Sequence, residues 1–304
     1  MKLYASIAVQ VRGEEIMRTP RLRDKLKSAF GGRPDLRTGR LRASLEAAAI
    51  VDAVRDAMRR LDVTNAVALV IDNTVLFNDP QAKPDDLSDL LQAFDDNAVV
   101  FGEGFDELRL VVEHRETDLH LVAEVQARTE HAHDEAAVRV IVSGRIAALT
   151  PRPSEDAESY RKRAAPIAGD ASALAMYNLQ FDAFVARLRD ALTAAMPASR
   201  VAIEVAESRI VRPGTEQPAP TSPRARDYDP YDAYYPNPLG MMANAIMWSA
   251  LFSMAMPPHV TVVDGANHVE GYADDPSTLE PDAGSELDAG GEPDVWDSDF
   301  GGFE

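Results

Sequence analysis

Between residues 106 and 146 apolar side chains recur at every second position, a pattern that only strands with one buried face satisfy. Leu108, Leu110 and Val112 alternate with Glu107, Arg109, Val111 and Glu113, while Leu119, Leu121, Ala123 and Val125 alternate with His120, Val122, Glu124 and Gln126. Two such runs in succession form an antiparallel hairpin. With Arg115 to Asp118 as the turn, Glu113 falls opposite His120 and Arg109 opposite Glu124, so complementary charges pair on an outer face. Val138, Val140 and Val142 add a third strand. The apolar face of this meander has to be covered. The expected fold is therefore α+β, an antiparallel β-meander covered by amphipathic helices.

Further elements surround the meander. Residues 2–12 alternate as a strand, and the continuous apolar run from Ala66 to Ile71 reads as a buried one. Helical signals fall at 21–30, at 41–61 through Leu45, Ala48, Val51, Val54, Met58 and Leu61, and from Asp85 through Phe94. The strongest helix runs from an Asp170 N-cap to about Met196. There Leu174, Tyr177, Phe181, Phe184, Leu188 and Leu192 recur at intervals of three and four, and Pro197 stops the run. Val201 to Val205 is the last expected strand of a body covering residues 1–211.

Beyond that body the composition changes. Residues 212–238 hold seven of the 20 prolines and four of the eight tyrosines, Tyr228, Tyr231, Tyr234 and Tyr235, the pattern of a semi-extended linker. Residues 239–263 read as an apolar Met-rich helix and a short strand, and residues 264–304 as a disordered acidic tail. The tail carries 13 Asp/Glu and no Lys/Arg, so of the net charge of −19 only −6 belongs to the rest of the chain. At the other end, nine basic residues lie between Arg18 and Arg42, against Asp24 and Asp35.

The chain has no cysteine, which excludes disulfide frameworks, iron–sulfur clusters and thiol catalysis, and suits a reducing cytoplasm. No signal-peptide core develops before Arg12, Glu14 and Glu15, and the expected location is cytoplasmic. Residues 239–256 have three readings, a core helix docking back on the body, a partner-binding or self-association helix, and a membrane segment. An 18-residue helix there spans ~27 Å, just under a hydrocarbon core of roughly 30 Å.

Recognition features concentrate after residue 212. In the Met-rich segment, Met241, Met242, Met247 and Trp248 supply adaptable apolar contact, and Ala245, Ser249 and Ser253 form a small-residue seam that lets a second helix approach. At the tail tip, Trp296, Phe300 and Phe303 stand among carboxylates, as in a docking peptide that offers rings to a pocket and acids to a basic rim. The expected function is that of a non-enzymatic interaction or assembly protein, without a cofactor, whose partner is another protein or a second copy of itself.

Two alternatives rest on other residues. A metal-assisted hydrolase or transferase would use Asp72, placed after a buried strand, with His131 and His133 as metal ligands. Asp and Asn also start turns, which equally accounts for Asp72-Asn73. A nucleic-acid-binding protein would neutralise phosphates through the arm at 18–42, with Arg33, Arg37, Arg40 and Arg42 as the anion-binding set and the acidic tail as its shield. That arm has no P-loop pattern, and no aromatic lies between Tyr4 and Phe30 to stack bases. Neither a Gly-x-Ser-x-Gly elbow nor a dinucleotide fingerprint occurs.

Overall fold

A computed structural model describes residues 1–10, 50–79, 104–129, 136–152, 154–197, 199–214, 222–225, 227–236, 240–254, 259–275, 277 and 279. The expected helices at 21–30 and 85–94, the basic arm, His131, His133 and the tail tip lie outside these residues.

The alternating runs form strands β4 (Glu107–Glu116), β5 (Leu119–Arg128) and β6 (Val138–Ile146), paired antiparallel in that order. The turn is shorter than the pattern suggests. Only Thr117 and Asp118 separate β4 from β5, with Thr117 in the left-handed region at φ 53. Glu113 therefore pairs with Val122 and Arg109 with Gln126, two positions away from the expected register. Because the side-chain period is two, this slip leaves every residue on its expected face. The complementary pairs survive as diagonals: His120 Nε2 lies 3.1 Å from Glu113, and Arg109 Nη1 3.8 Å from Glu124.

Among the described residues, these strands are the middle of a nine-stranded sheet of order β3-β2-β4-β5-β6-β1-β7-β8-β9. Strand β1 (Lys2–Gln10) lies between β6 and β7 (Arg200–Val211), and β2 (Asn65–Ile71) joins β3 (Thr74–Asn78) at one edge. At the other edge, β8 (Thr261–Val263) runs parallel to β7, and β9 (Val269–Tyr272) runs antiparallel to β8. The sheet thus continues past Val211, and residues 264–275, read as tail, include one of its strands.

One face carries the main core. Leu3, Ala5, Ile7, Val9, Leu108, Leu110, Val140 and Val142 are all fully buried there. Gly144 of β6 belongs to the same layer, where an added Cβ would come within 2.5 Å of Leu121 Cδ2. Over this face lie helix α1 (described over 50–59), α2 (Ala157–Ala168), α3 (Ala171–Ala195) and α5 (Gly240–Phe252). The Asp170 carboxylate accepts from the Ser172 and Ala173 amides, and α3 buries the expected stripe together with Val185. Helix α2 was not legible as a helix. Its stretch is charged, contains Pro166, and buries only Tyr160, Ala164 and Ala168, one side chain per turn.

The opposite face is covered by the segment expected to be a linker. Residues 227–236 carry a short helix, α4 (Pro230–Tyr234), and pack Tyr228 and Tyr231 against the sheet. Enough tyrosine and aspartate reach the strands to hold a proline-rich segment in place. Helix α5 has 13 residues rather than 18 and packs on α2 and β7. Among the described residues no helix is long and apolar enough to cross a membrane.

Candidate functional site

The strand residues that point away from the main core carry an unusual load of charge for a covered surface. Lys2 pairs across the ladders with Arg145 on one side and Arg209 on the other, so three cations stand abreast on β6, β1 and β7. Like charges directly opposite destabilise a sheet. Segment 227–236, here called the strap, supplies the compensation. Asp229 caps α4 by accepting from the Tyr231 amide at 2.9 Å, and its other oxygen accepts from Arg145 Nη2 at 3.1 Å. Asp232 accepts from Lys2 Nζ at 2.5 Å and from Arg145. Asn267, fully buried in the turn before β9, accepts from Lys2 at 2.8 Å. Arg209 stacks on the Tyr4 ring and donates through Nε to Glu207 at 2.6 Å, while its buried Nη1 has no hydrogen-bond partner among the described residues.

A second group lies alongside. The Tyr228 hydroxyl donates to Glu124 at 2.6 Å, and Gln126 donates to the other carboxylate oxygen at 3.0 Å. Glu124 is 0% exposed, and burial raises its pKa against the opposing effect of those donors. Burial and the facing carboxylate also push the Tyr228 hydroxyl well above its usual range. His120 bridges the two groups, with Nδ1 2.8 Å from the Tyr231 hydroxyl and Nε2 3.1 Å from Glu113. A neutral ring protonated at Nε2 donates to Glu113 and accepts from Tyr231, which satisfies both contacts. Asn65 and Tyr235 also donate to Glu113. Arg145 closes the link, its guanidinium carbon 4.4 Å above the Tyr231 ring.

Two carboxylates latch the strap in a pH-dependent way. The His120 hydrogen bond, aided by Tyr235 and Asn65 and opposed by burial, lowers Glu113 from 4.5 to about 2. For Asp232, burial raises the pKa, but Arg145 and Lys2 outweigh it and bring the group from 3.8 to about 2. Both folded values lie below the unfolded ones. Their stabilisation is thus complete above pH ~4.5 and is lost as pH falls toward ~2, each contributing on the order of 2 kcal/mol. Urea midpoints measured across that window should fall steeply, and Asp232→Asn should flatten the fall. An unchanged slope in that variant would show that Asp232 is not a latch.

The residues singled out by sequence fall in several places. Met247 is buried in the main core beside Ile246 and Leu251, and Trp248 is half-buried with its ring 4.4 Å from Phe252. Ala245, Ser249 and Ser253 are exposed. Met241 and Met242 lie in the first turn of α5. Asp72 and Asn73 form the β2–β3 turn, both in the left-handed region, and the Asp72 carboxylate accepts from the Asp106 and Glu107 amides at 2.8 and 2.9 Å. That accounts for Asp72 as a clasp between two turns. Among the described residues no three His, Asp or Glu side chains are grouped to hold a metal ion. Arg33, Arg37, Arg40, Arg42, His131, His133, Trp296, Phe300 and Phe303 lie outside the described residues.

Sequence reasoning paired the outward charges only across the hairpin and so missed Lys2, Glu124, Arg145 and the strap aspartates as one network. The available signal was the alternation of Tyr and Asp from Asp227 to Tyr235, a sheet-facing pattern inside a proline-rich segment. No protein-family model, curated protein or solved structure matches the chain.

Proposed function

We propose that this chain is a non-enzymatic assembly protein that associates with a second copy of itself through the outer side of α5. The observation that carries this reading is that α5 contains no charged residue and yet leaves Ala245, Ser249 and, just past its end, Ser253 exposed, with Phe252 38% exposed. A surface helix ordinarily turns a charged face to water, and an uncharged one is ordinarily covered. Met247 and Leu251 anchor the inner side, so the helix is presented as a rigid surface. The small residues at four-residue spacing let the same seam of another copy approach closely. The tail tip, with Trp296, Phe300 and Phe303, is a second recognition element in this reading, and the cysteine-free chain suits the cytoplasm.

Mass measured by light scattering over a concentration series tests it. The protein should shift from monomer to dimer, and Ser249→Arg should hold it monomeric, with an unfolding midpoint equal to that of the wild type at concentrations where the wild type is monomeric. A wild-type chain that stays monomeric at all concentrations, or a variant that dimerises equally well, defeats the proposal.

A further inference from the structure

The strap differs from the other covering elements in what it contributes. It donates no strand, and the main core lies entirely on the other face of the sheet. Its attachment is that of a bound peptide: carboxylates of Asp229 and Asp232 on Lys2 and Arg145, and tyrosine rings and hydroxyls seated on Ile141, Glu124 and His120. Without it, the face presents Arg145, Lys2 and Arg209 side by side, with Tyr4 and Ile141 as apolar seats. Arg209 already holds a buried Nη1 without an acceptor among the described residues. Such a surface suits a segment in which acids alternate with rings.

The chain contains a second segment of that kind. The strap spaces Tyr228, Tyr231 and Tyr235 by three and four residues around Asp229 and Asp232. The C-terminal tip spaces Trp296, Phe300 and Phe303 by four and three, with Asp297 and Asp299 between the first two. Reach is sufficient. From Leu279, the last described residue, thirteen residues lead to Glu292 and span at most roughly 45 Å. Leu279 packs on the main-core face, so the path rounds the β9 edge, roughly 10 Å from face to face, before the four strand spacings of roughly 19 Å from β9 to β6, and the sum stays within that span.

We infer that the strap-bearing face is a recognition site for acidic, aromatic peptide segments, held in the closed state by residues 227–236 and open to exchange with the chain's own tip, residues 292–304. Tethering of both segments to one chain makes the exchange a competition at high effective concentration. The inference is independent of the α5 association, because its readout is the strap and not the oligomeric state.

Hydrogen exchange on the full-length protein is the first test. Replacing Trp296, Phe300 and Phe303 together with serine removes the competitor without touching any described element. The amides of Tyr228 to Tyr235 should then exchange at least threefold more slowly than in the wild type. Unchanged strap exchange overturns the inference. A difference that grows with protein concentration overturns the same-chain assignment, because the tip would then come from a second copy. The second test uses a labelled peptide of sequence 292–304 and fluorescence anisotropy. Full-length Asp229→Asn/Asp232→Asn, with its latch weakened, should bind the peptide at least tenfold more tightly than the wild type, and the serine-substituted peptide should not bind. Equal affinity of both proteins, or equal binding of both peptides, overturns the site.

Discussion

Replacing Arg145 with alanine is expected to lower the unfolding free energy by about 3–5 kcal/mol, the range for removing one partner of a buried charge cluster. Arg145 is the element of the second face that touches most of the others. It donates to Asp229 and Asp232, covers the Tyr231 ring and donates to the Gly144 carbonyl. Without it, Asp229, only 2% exposed, keeps just Lys2 as a cation, at 4.0 Å. The cost comes mainly from the carboxylates left behind, so Asp229→Asn/Asp232→Asn in the Arg145→Ala background should restore part of the loss. Arg145→Lys should fall between, because one ammonium cannot serve two carboxylates with a planar fork. Urea denaturation at pH 7 measures all of these. A loss below ~1 kcal/mol for Arg145→Ala would mean that the strap holds without its central cation.

The second large effect concerns α5. Leu251→Ala should destabilise the protein by about 2–5 kcal/mol, the range for a fully buried leucine whose neighbours cannot close the cavity. Leu251 is 1% exposed and belongs to the same cluster as Ile210, Val260 and Val262. Ser249→Ala, two residues earlier and on the exposed side of the helix, should stay within ~0.5 kcal/mol of the wild type. The pair separates two views of the Met-rich segment. If it is an integral part of the body, unfolding stays a single transition and shifts as a whole. If Leu251→Ala loses less than ~1 kcal/mol, the helix is an appendage and its inner side is free for another role.

Legibility followed the range of the interaction. Helix α3 was readable to within a residue at each end, because the N-cap, the buried stripe and Pro197 all lie within the helix or beside it. The hairpin was readable in its faces but not in its register. Parity is set by neighbouring residues, whereas turn length is set by how tightly two strands twist together. The Met-rich helix was recognised as a helix, but whether it was a core helix, a partner helix or a membrane segment stayed open. An apolar helix reads the same whether it meets its own body, another protein or a bilayer. The candidate site was the least legible part. Glu113, His120, Arg109 and Glu124 were expected on the outer face, and they are there, but under tyrosines from more than a hundred residues away.

By itself, then, the sequence determined the local elements and the side of each strand on which charge or hydrocarbon would stand, since a period of two or 3.6 is written in adjacent residues. Only the tertiary structure decided that β1 is an inner strand, that β8 and β9 extend the sheet past Val211, and that the charged face is largely covered. Lys2 meets Asp232 and Asn267, 230 and 265 positions away, and no periodicity announces such contacts. A polar side chain facing outward looks the same in a sequence whether water or a distant strap satisfies it. The energetic difference appears only once the chain has closed over it.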